Sequence, residues 1–259
     1  MKNLSVALLA AAALSTSAMA NNGFYLGASA GVAQTNAKYD YANQNLSAVS
    51  TFAASQYQQS FKNDAGKTAG LFGLFAGYGA VVGSGAYIGG EIYGGIDTTS
   101  FKPFDDSASG NRAGFWTTKL ERKYYYGLAA RLGYMITPNT LAYIRLAVES
   151  GKWKATVTPN AATVDGATMT GATADQIAAS KKAQTKNKSG LQFAPGLGVE
   201  VYVSKNLFIR AEYSYLFGPK LSLTHDTTAI NGAVFNGSSV NHNLKTSQHA
   251  MKVGIGYKF

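Results

Sequence analysis

Charged side chains recur at alternate positions along several apolar segments of the chain. This spacing places them on one face of an extended strand, because successive side chains of a strand point in opposite directions. Acids and bases gathered on one enclosed face could form ion pairs that hold strands together, or that rearrange to let ions pass. Four acids and four bases fit this description: Glu91, Arg131, Arg145, Glu149, Glu200, Arg210, Glu212 and Lys252.

The three histidines are the residues that could support acyl-transfer or hydrolytic chemistry. His225 and His242 fall in a segment that we predict to be the last loop, near Asp226 and Ser238, and His249 is predicted to face outward near one end of a strand. A catalytic histidine needs a nucleophile within hydrogen-bond reach. No nucleophile motif accompanies these histidines, so we predict that the protein is not an enzyme.

The other motifs give no indication of a cofactor. The chain contains no cysteine, which excludes thiol catalysis and Cys-ligated metals. Gly83 and Gly85, and the pair Gly89 and Gly90, do not open a predicted helix, so a phosphate-binding loop is not indicated. Asp105 and Asp106 are two adjacent acids, too few for a calcium cage. Basic residues are not interleaved with aromatics as in a nucleic-acid groove. We expect no cofactor, no metal and no nucleic-acid partner.

The elements that position these residues are strands with one apolar face. Alternation of period two is typical of a β-barrel and occurs eight times in the sequence. The predicted strands cover 23–33, 68–78, 86–97, 122–136, 141–152, 190–203, 207–216 and 247–259.

Three details of these strands can be checked against a structure. The second strand is rich in glycine, and our preferred register places Phe72, Leu74 and Tyr78 on the apolar face. In the fourth strand, Lys123 shares the inner face with Tyr125 and Arg131. Pro195 interrupts the sixth strand, where it must remove a hydrogen bond, and we expect a bulge or bend there.

The segments between the strands alternate in length. Those at 79–85, 137–140 and 204–206 are short, whereas those at 34–67, 98–121, 154–188 and 217–246 are long and polar. Short periplasmic turns and long extracellular loops alternate in this way in outer-membrane barrels. We therefore predict an all-β, antiparallel, up-and-down transmembrane barrel of about eight strands. Ten strands are the alternative if part of 34–67 pairs.

Composition and the position of aromatic residues agree with a membrane barrel. Hydrophobic residues make up 46% of the chain and charged residues 14%, below the roughly 25% of a soluble domain. Tyrosines of the apolar faces cluster near the long segments, and a second group lies near the opposite end, as in the aromatic belts of membrane proteins. A soluble lipocalin-type carrier, the alternative with eight strands, would turn its apolar face inward.

The first twenty residues have the organisation of a cleaved signal peptide. Lys2 precedes a short apolar stretch, and Ala18-Met19-Ala20 is a small-x-small cleavage site. The stretch is shorter than the roughly 20 residues of a spanning helix. We predict that 1–20 is removed and that 21–259 forms one barrel domain.

Several segments resemble a known family. The sequences at 23–28 (GFYLGA), 87–91 (YIGGE) and 206–213 (NLFIRAEY) are similar to those of OmpA-like and opacity-type eight-stranded surface barrels. The last residues, 253–259 (VGIGYKF), resemble the terminal signal that the barrel-insertion machinery reads, with Tyr257 and Phe259 as its aromatic residues. The resemblance implies a charged lumen and at most a small pore. The best-known members append a peptidoglycan-binding domain after the barrel, and this chain ends at Phe259, so wall anchoring is not carried over.

Our prediction for function is an integral outer-membrane surface protein with a narrow or plugged polar lumen, serving envelope structure and surface contact. A small-solute porin is the alternative, and a lipid A-modifying enzyme is a third. The expected partners are outer-membrane lipids including lipopolysaccharide, the insertion machinery, and host surface molecules through the loops. The lysines in 154–188 could contact anionic partners, but the Ala, Thr, Gly and Asn of this segment favour a solvated loop.

Overall fold

The computed structural model describes residues 22–44, 60–105, 116–159, 182–226, 229–230, 233–234 and 239–259. Strands account for almost all of these residues, and no helix among them is long and apolar enough to cross a membrane. The strands are β1 (Gly23–Gln44), β2 (Ser60–Val82), β3 (Ala86–Asp97), β4 (Ser100–Asp105), β5 (Trp116–Thr137), β6 (Thr140–Pro159), β7 (Gln184–Lys188), β8 (Leu191–Tyr202), β9 (Leu207–Asp226), β10 (Ala229–Ile230), β11 (Ala233–Val234) and β12 (Ser239–Lys258).

Eight of these strands form a closed antiparallel ring. Its order is β5, β3, β2, β1, β12, β9, β8 and β6, and the β5–β6 pairing returns to the start. The ring pairs the first strand with the last, β1 with β12, and Tyr25 lies opposite Lys258. Strand β4 extends the line of β3 along β5, and β7 extends the line of β8 along β6. The predicted eight-stranded barrel is therefore confirmed, and the ten-stranded alternative is not needed.

The outer face of the ring carries the apolar residues that the alternation predicts. In β2, Phe72, Leu74 and Tyr78 are about half exposed or more, which confirms the preferred register. Ile88 and Ile92 of β3 also face outward. An apolar exterior and a polar interior suit a barrel that is surrounded by lipid, and they exclude the lipocalin arrangement.

The strands are longer than the sequence pattern indicates. Six of them have 20–23 residues, about twice the 9–11 residues that a tilted membrane strand needs. Parts of all four segments that we predicted to be loops are strand. In these parts the pattern is reversed: Leu221, Leu223 and Leu244 are buried, whereas Ser222 Oγ and Asn243 Oδ1 form a 2.7 Å hydrogen bond on the outside. Polar side chains point outward here because this part of the wall is surrounded by water and not by lipid.

Pro195 does not produce the expected bulge. The pairing of β6 with β8 passes through Leu146 and Pro195 without a register shift. The pairing of β8 with β9 instead starts at the next residue, Gly196. At Pro195, β8 is therefore paired with β6 but not yet with β9, and the proline lies at the limit of the β8–β9 ladder.

Candidate functional site

The lumen contains seven of the eight predicted charged residues in a single connected cluster. They come from β3, β5, β6, β8, β9 and β12, and each occupies an inward position of its strand. We call this group the lower charge cluster; it consists of Glu91, Arg131, Arg145, Glu200, Arg210, Glu212 and Lys252.

Two glutamates and two arginines form the centre of the lower charge cluster. Arg131 Nη2 donates to Glu200 Oε2 at 2.7 Å, and Arg210 Nη1 donates to Glu91 Oε2 at 2.7 Å. Arg210 also reaches Glu200 at 3.2 Å, so its guanidinium connects the two carboxylates. All four side chains are almost fully buried. Charges buried in a membrane protein are costly unless they are paired, and here each has an opposite charge beside it.

A second pair of contacts extends the cluster along the lumen. Glu212 Oε1 lies 3.2 Å from Lys252 Nζ and 3.6 Å from Arg145 Nε. Arg145 Nε is also 4.0 Å from Glu91 Oε1, which links this pair to the centre. The cluster is thus a continuous set of ion pairs across the barrel.

Tyrosine side chains surround the ion pairs and fix their positions. The hydroxyl of Tyr25 donates to Glu91 at 3.1 Å and accepts from Arg131 at 3.2 Å. Tyr202 donates to Glu200 at 2.8 Å, and the ring of Tyr143 lies 3.9 Å from the Arg131 guanidinium carbon. Cation–π contacts of this kind strengthen when they are removed from water.

Glu149 belongs to a different group from the one we predicted. It pairs with Arg122, which also contacts Asp97 at 3.2 Å. Gln248 accepts a hydrogen bond from Arg122 and donates to Asp97 at 2.9 Å. We call these four residues the upper charge cluster.

The sequence pattern missed Arg122 because β5 changes phase beside it. The β5–β6 register shifts between Arg122 and Tyr125, and both residues point inward although they are three positions apart. The assignment of Lys123 to the inner face is therefore wrong: its side chain is exposed on the outer wall. Alternation along β3 places Asp97 on the same inner face as Glu91, but the sequence pattern does not identify Arg122 as its partner.

Apolar side chains fill the lumen beyond the upper charge cluster. Trp153, Leu120 and Val157 have no exposed surface there. His242 is also fully buried, and its Nδ1 lies 2.7 Å from the Tyr39 hydroxyl. The prediction that His242 belongs to a loop is wrong, since it lies on β12. The same prediction is wrong for His225, whose backbone lies on β9, although its side chain is outside the described residues.

His249 is placed as predicted, on the outer face. Its Nδ1 lies 2.7 Å from the Tyr213 hydroxyl, and its ring packs edge-on against Tyr215 at 4.8 Å between centroids. It forms part of the aromatic belt. In the described part of the chain, no group of three or more potential ligands could hold a metal ion.

A small cavity lies in the lumen beside the lower charge cluster. An internal cavity of about 20 Å³ is lined by Tyr93, Tyr125, Arg210, Glu212 and Lys252, among others. A cavity needs about 10–15 Å³ of such volume to hold one water molecule. The space observed is therefore of the order of one water molecule.

Comparison with protein-family models identifies the family of this chain. The model for the outer membrane protein β-barrel domain matches residues 4–259. The chain belongs to this family. It is accordingly a protein of the outer membrane. The comparison with curated proteins gives no match.

Several solved structures of outer-membrane barrels are similar to this chain. OprG from Pseudomonas aeruginosa has a TM-score of 0.52 at 12% identity, covering 95% of this chain and 99% of OprG. Neisserial surface protein A has a TM-score of 0.41 at 13% identity, covering 92% and 97%. Ail, the attachment invasion locus protein of Yersinia pestis, has a TM-score of 0.38 at 16% identity, covering 92% and 99%. At these identities the likeness concerns the fold alone.

The two residues predicted to act in barrel insertion lie at the end of β12, where it pairs with β1. Tyr257 and Phe259 are exposed and pack edge to face, with centroids 5.2 Å apart. The backbone N–H of Phe259 donates to the carbonyl of Phe24 at 2.9 Å. Their role in insertion stays a prediction.

Proposed function

We propose that this barrel is a non-enzymatic surface protein of the outer membrane with a closed lumen, which contributes to envelope structure and to contact at the cell surface. The observation that carries the proposal is the lower charge cluster. Its seven side chains join six strands by ion pairs and contribute four positive and three negative charges. An eight-stranded barrel is just wide enough for side chains to fill it.

Two further features support a closed lumen. The upper charge cluster forms a second polar layer around Arg122, and apolar residues such as Trp153 and Leu120 fill the space beyond it. A hydrated ion would have to displace both. The porin alternative requires the buried ion pairs to separate, and a buried charge that loses its partner costs about 3–5 kcal/mol.

Surface contact is supported by the part of the barrel strands that extends beyond the membrane. Its strands are hydrogen bonded to one another and its outer side chains are polar, as in the pair Thr224–Asn241 at 2.8 Å. Such a wall would present the outer loops to lipopolysaccharide or host molecules at a distance from the bilayer. The loops remain the proposed sites for host partners.

The test is single-channel conductance of the mature protein, refolded and inserted into planar bilayers after its heat-modifiable gel mobility has shown that it is folded. We expect the wild type to be silent. Arg145→Glu would place a third negative charge beside Glu91 and Glu212, and we expect it to produce open events or loss of stability. Lys38→Glu, on the exposed outer wall, is the control and should change neither.

Stable conductance steps from the folded wild type would favour the porin alternative. If Arg145→Glu changed neither conductance nor stability, the lower charge cluster would have no part in closing the lumen.

A further inference from the structure

Three lysines gather on the outside of the barrel, away from the lumen. Lys123 of β5 and Lys152 and Lys154 of β6 line a cavity of about 220 Å³ together with Thr185 and Asn187 of β7. We call this group the lysine pocket. It combines three ammonium groups with the hydroxyl and the amide of two neutral side chains that can also donate hydrogen bonds.

The irregularity in β5 creates the lysine pocket. Because the β5–β6 register shifts between Arg122 and Tyr125, Lys123 points outward together with Tyr124. Lys152 and Lys154 occupy alternate outward positions of β6, on either side of the buried Trp153. Strand β7 then pairs along β6, with Asn187 opposite Lys154, and closes the side of the pocket.

The lysine pocket lies directly beyond the apolar band of the barrel. Tyr124 and Tyr126, the aromatic belt residues of β5, follow Lys123, and both are about half exposed. On β6, the outward apolar residue Val148 is four positions from Lys152. Tyrosines of such a belt lie at the level of the lipid headgroups. The lysines therefore lie at or just above the headgroups of the outer leaflet.

Positive charge in this region exceeds its local compensation. Glu121 is the acid beside it, and its carboxylate is shared between Lys119 at 3.0 Å and Lys154 at 3.9 Å. Among the residues that the structure describes, no carboxylate lies within ion-pair distance of Lys123 or Lys152. Like charges held together on a surface repel each other unless an anion joins them, and such a patch raises the local concentration of anions.

We propose that the lysine pocket binds a phosphate group of lipid A, the anchor of lipopolysaccharide in the outer leaflet. The pocket adjoins the aromatic belt, and a lipid embedded in the membrane presents its phosphates at this level. This position favours lipid A as the ligand. The inference rests on the surface placement in the proposed function but not on the closed lumen. A soluble anion, such as a sulfated glycan, would not need the pocket to lie at headgroup level.

The experiment measures binding of the full mature barrel, folded in detergent micelles, to bisphosphoryl lipid A and to the same lipid after removal of its phosphates. We expect wild type to prefer the phosphorylated form by about tenfold or more, since each basic residue near an anionic membrane surface strengthens attraction. The variant K123Q/K152Q/K154Q should lose this preference. The variant K123R/K152R/K154R keeps the charges and should retain it.

A matched control carries the same loss of charge elsewhere on the outer wall. Lys38, Lys62 and Lys245 are exposed on the outer wall, on β1, β2 and β12, and K38Q/K62Q/K245Q should change the affinity for bisphosphoryl lipid A less than twofold. Heat-modifiable gel mobility shows whether each variant is folded. Because the pocket lies outside the lumen, K123Q/K152Q/K154Q should leave conductance as in wild type, which separates this test from that of the closed lumen.

Equal binding of the two lipids by wild type would overturn the proposal. So would an equal effect of the pocket variant and the control variant, which would indicate general charge attraction only. If a sulfated oligosaccharide such as a heparin fragment bound the pocket while bisphosphoryl lipid A did not, the site would belong to a soluble or host glycan instead.

Discussion

Arg210 of β9 donates to Glu91 of β3 at 2.7 Å, although 119 positions of sequence separate the two residues. Neither strand is the neighbour of the other in the ring. The bond therefore spans the lumen and does not follow the wall. It makes the stability of the barrel depend on a contact that only closure of the ring can form.

Removal of the Glu91 carboxylate should destabilise the barrel strongly. In Glu91→Gln, Arg210 would lose the carboxylate that lies 2.7 Å from it. Arg131 and Arg145 would lose a more distant carboxylate, at 3.9 Å and 4.0 Å. A buried ion pair that loses one member costs about 3–5 kcal/mol in free energy of unfolding. Urea unfolding in lipid bilayers measures the change.

The matched control for Glu91 is Asp64, which pairs with Lys38 at 3.5 Å on the exposed wall, where both side chains are about 70% exposed. Asp64→Asn should cost less than about 1 kcal/mol, as is typical of surface pairs. Equal costs for the two variants would contradict burial as the cause.

Loss of Arg122 should affect stability in the same direction. Arg122→Gln would leave Asp97 and Glu149 as two buried carboxylates without their shared guanidinium. We expect a loss of about 3 kcal/mol or more, measured by urea unfolding. The double variant Arg122→Gln with Glu149→Gln should recover part of the loss, because one unpaired charge is removed. If the two changes were additive, the pair would not be coupled.

A side chain at Gly77 should obstruct folding. A Cβ there would lie 2.4 Å from the Tyr25 hydroxyl and 2.4 Å from the carbonyl of Gly90, too close for either to stay in place. Gly77→Val should therefore lower the yield of heat-modifiable barrel severalfold, since overpacking typically costs about 1–3 kcal/mol. Gly90→Val is the control, because a Cβ at Gly90 meets nothing within 4 Å. A similar yield from both variants would rule out the close approach at Gly77 as the constraint.

Phe259 should matter more for assembly in cells than for the folded barrel. Its exposed ring contacts Tyr257 on the outer face, so Phe259→Ser removes little buried surface. We expect outer-membrane levels to fall severalfold while urea unfolding of refolded protein changes by less than about 1 kcal/mol, because a surface substitution has a small effect on stability. Phe24→Ser, an exposed aromatic on β1, is the control and should assemble normally. Normal assembly of Phe259→Ser would show that Phe259 is not part of the insertion signal.

The sequence by itself determined the number of barrel strands, the lipid-facing register of β2 and, apart from the shifted part of β5 at Arg122 and Lys123, the residues that point into the lumen at membrane level. The physical reason is local: in lipid, every outward side chain must be apolar, and a strand alternates with a period of two. Glu200 and Arg210 could be placed on the inner face from their neighbours alone. Beyond the membrane this rule reverses, and Leu221 and Leu244 point inward, which is why the sequence pattern ended the strands too early.

Only the tertiary structure decided which charges meet. Arg131 and Glu200 come from strands that are not paired in the ring, and their 2.7 Å contact exists because the barrel closes. It also decided the phase of β5, where a shift of register turned Arg122 inward and Lys123 outward. Such a shift depends on the pairing between two strands and leaves no mark in the alternation of one strand, because the residues on both sides of it alternate normally.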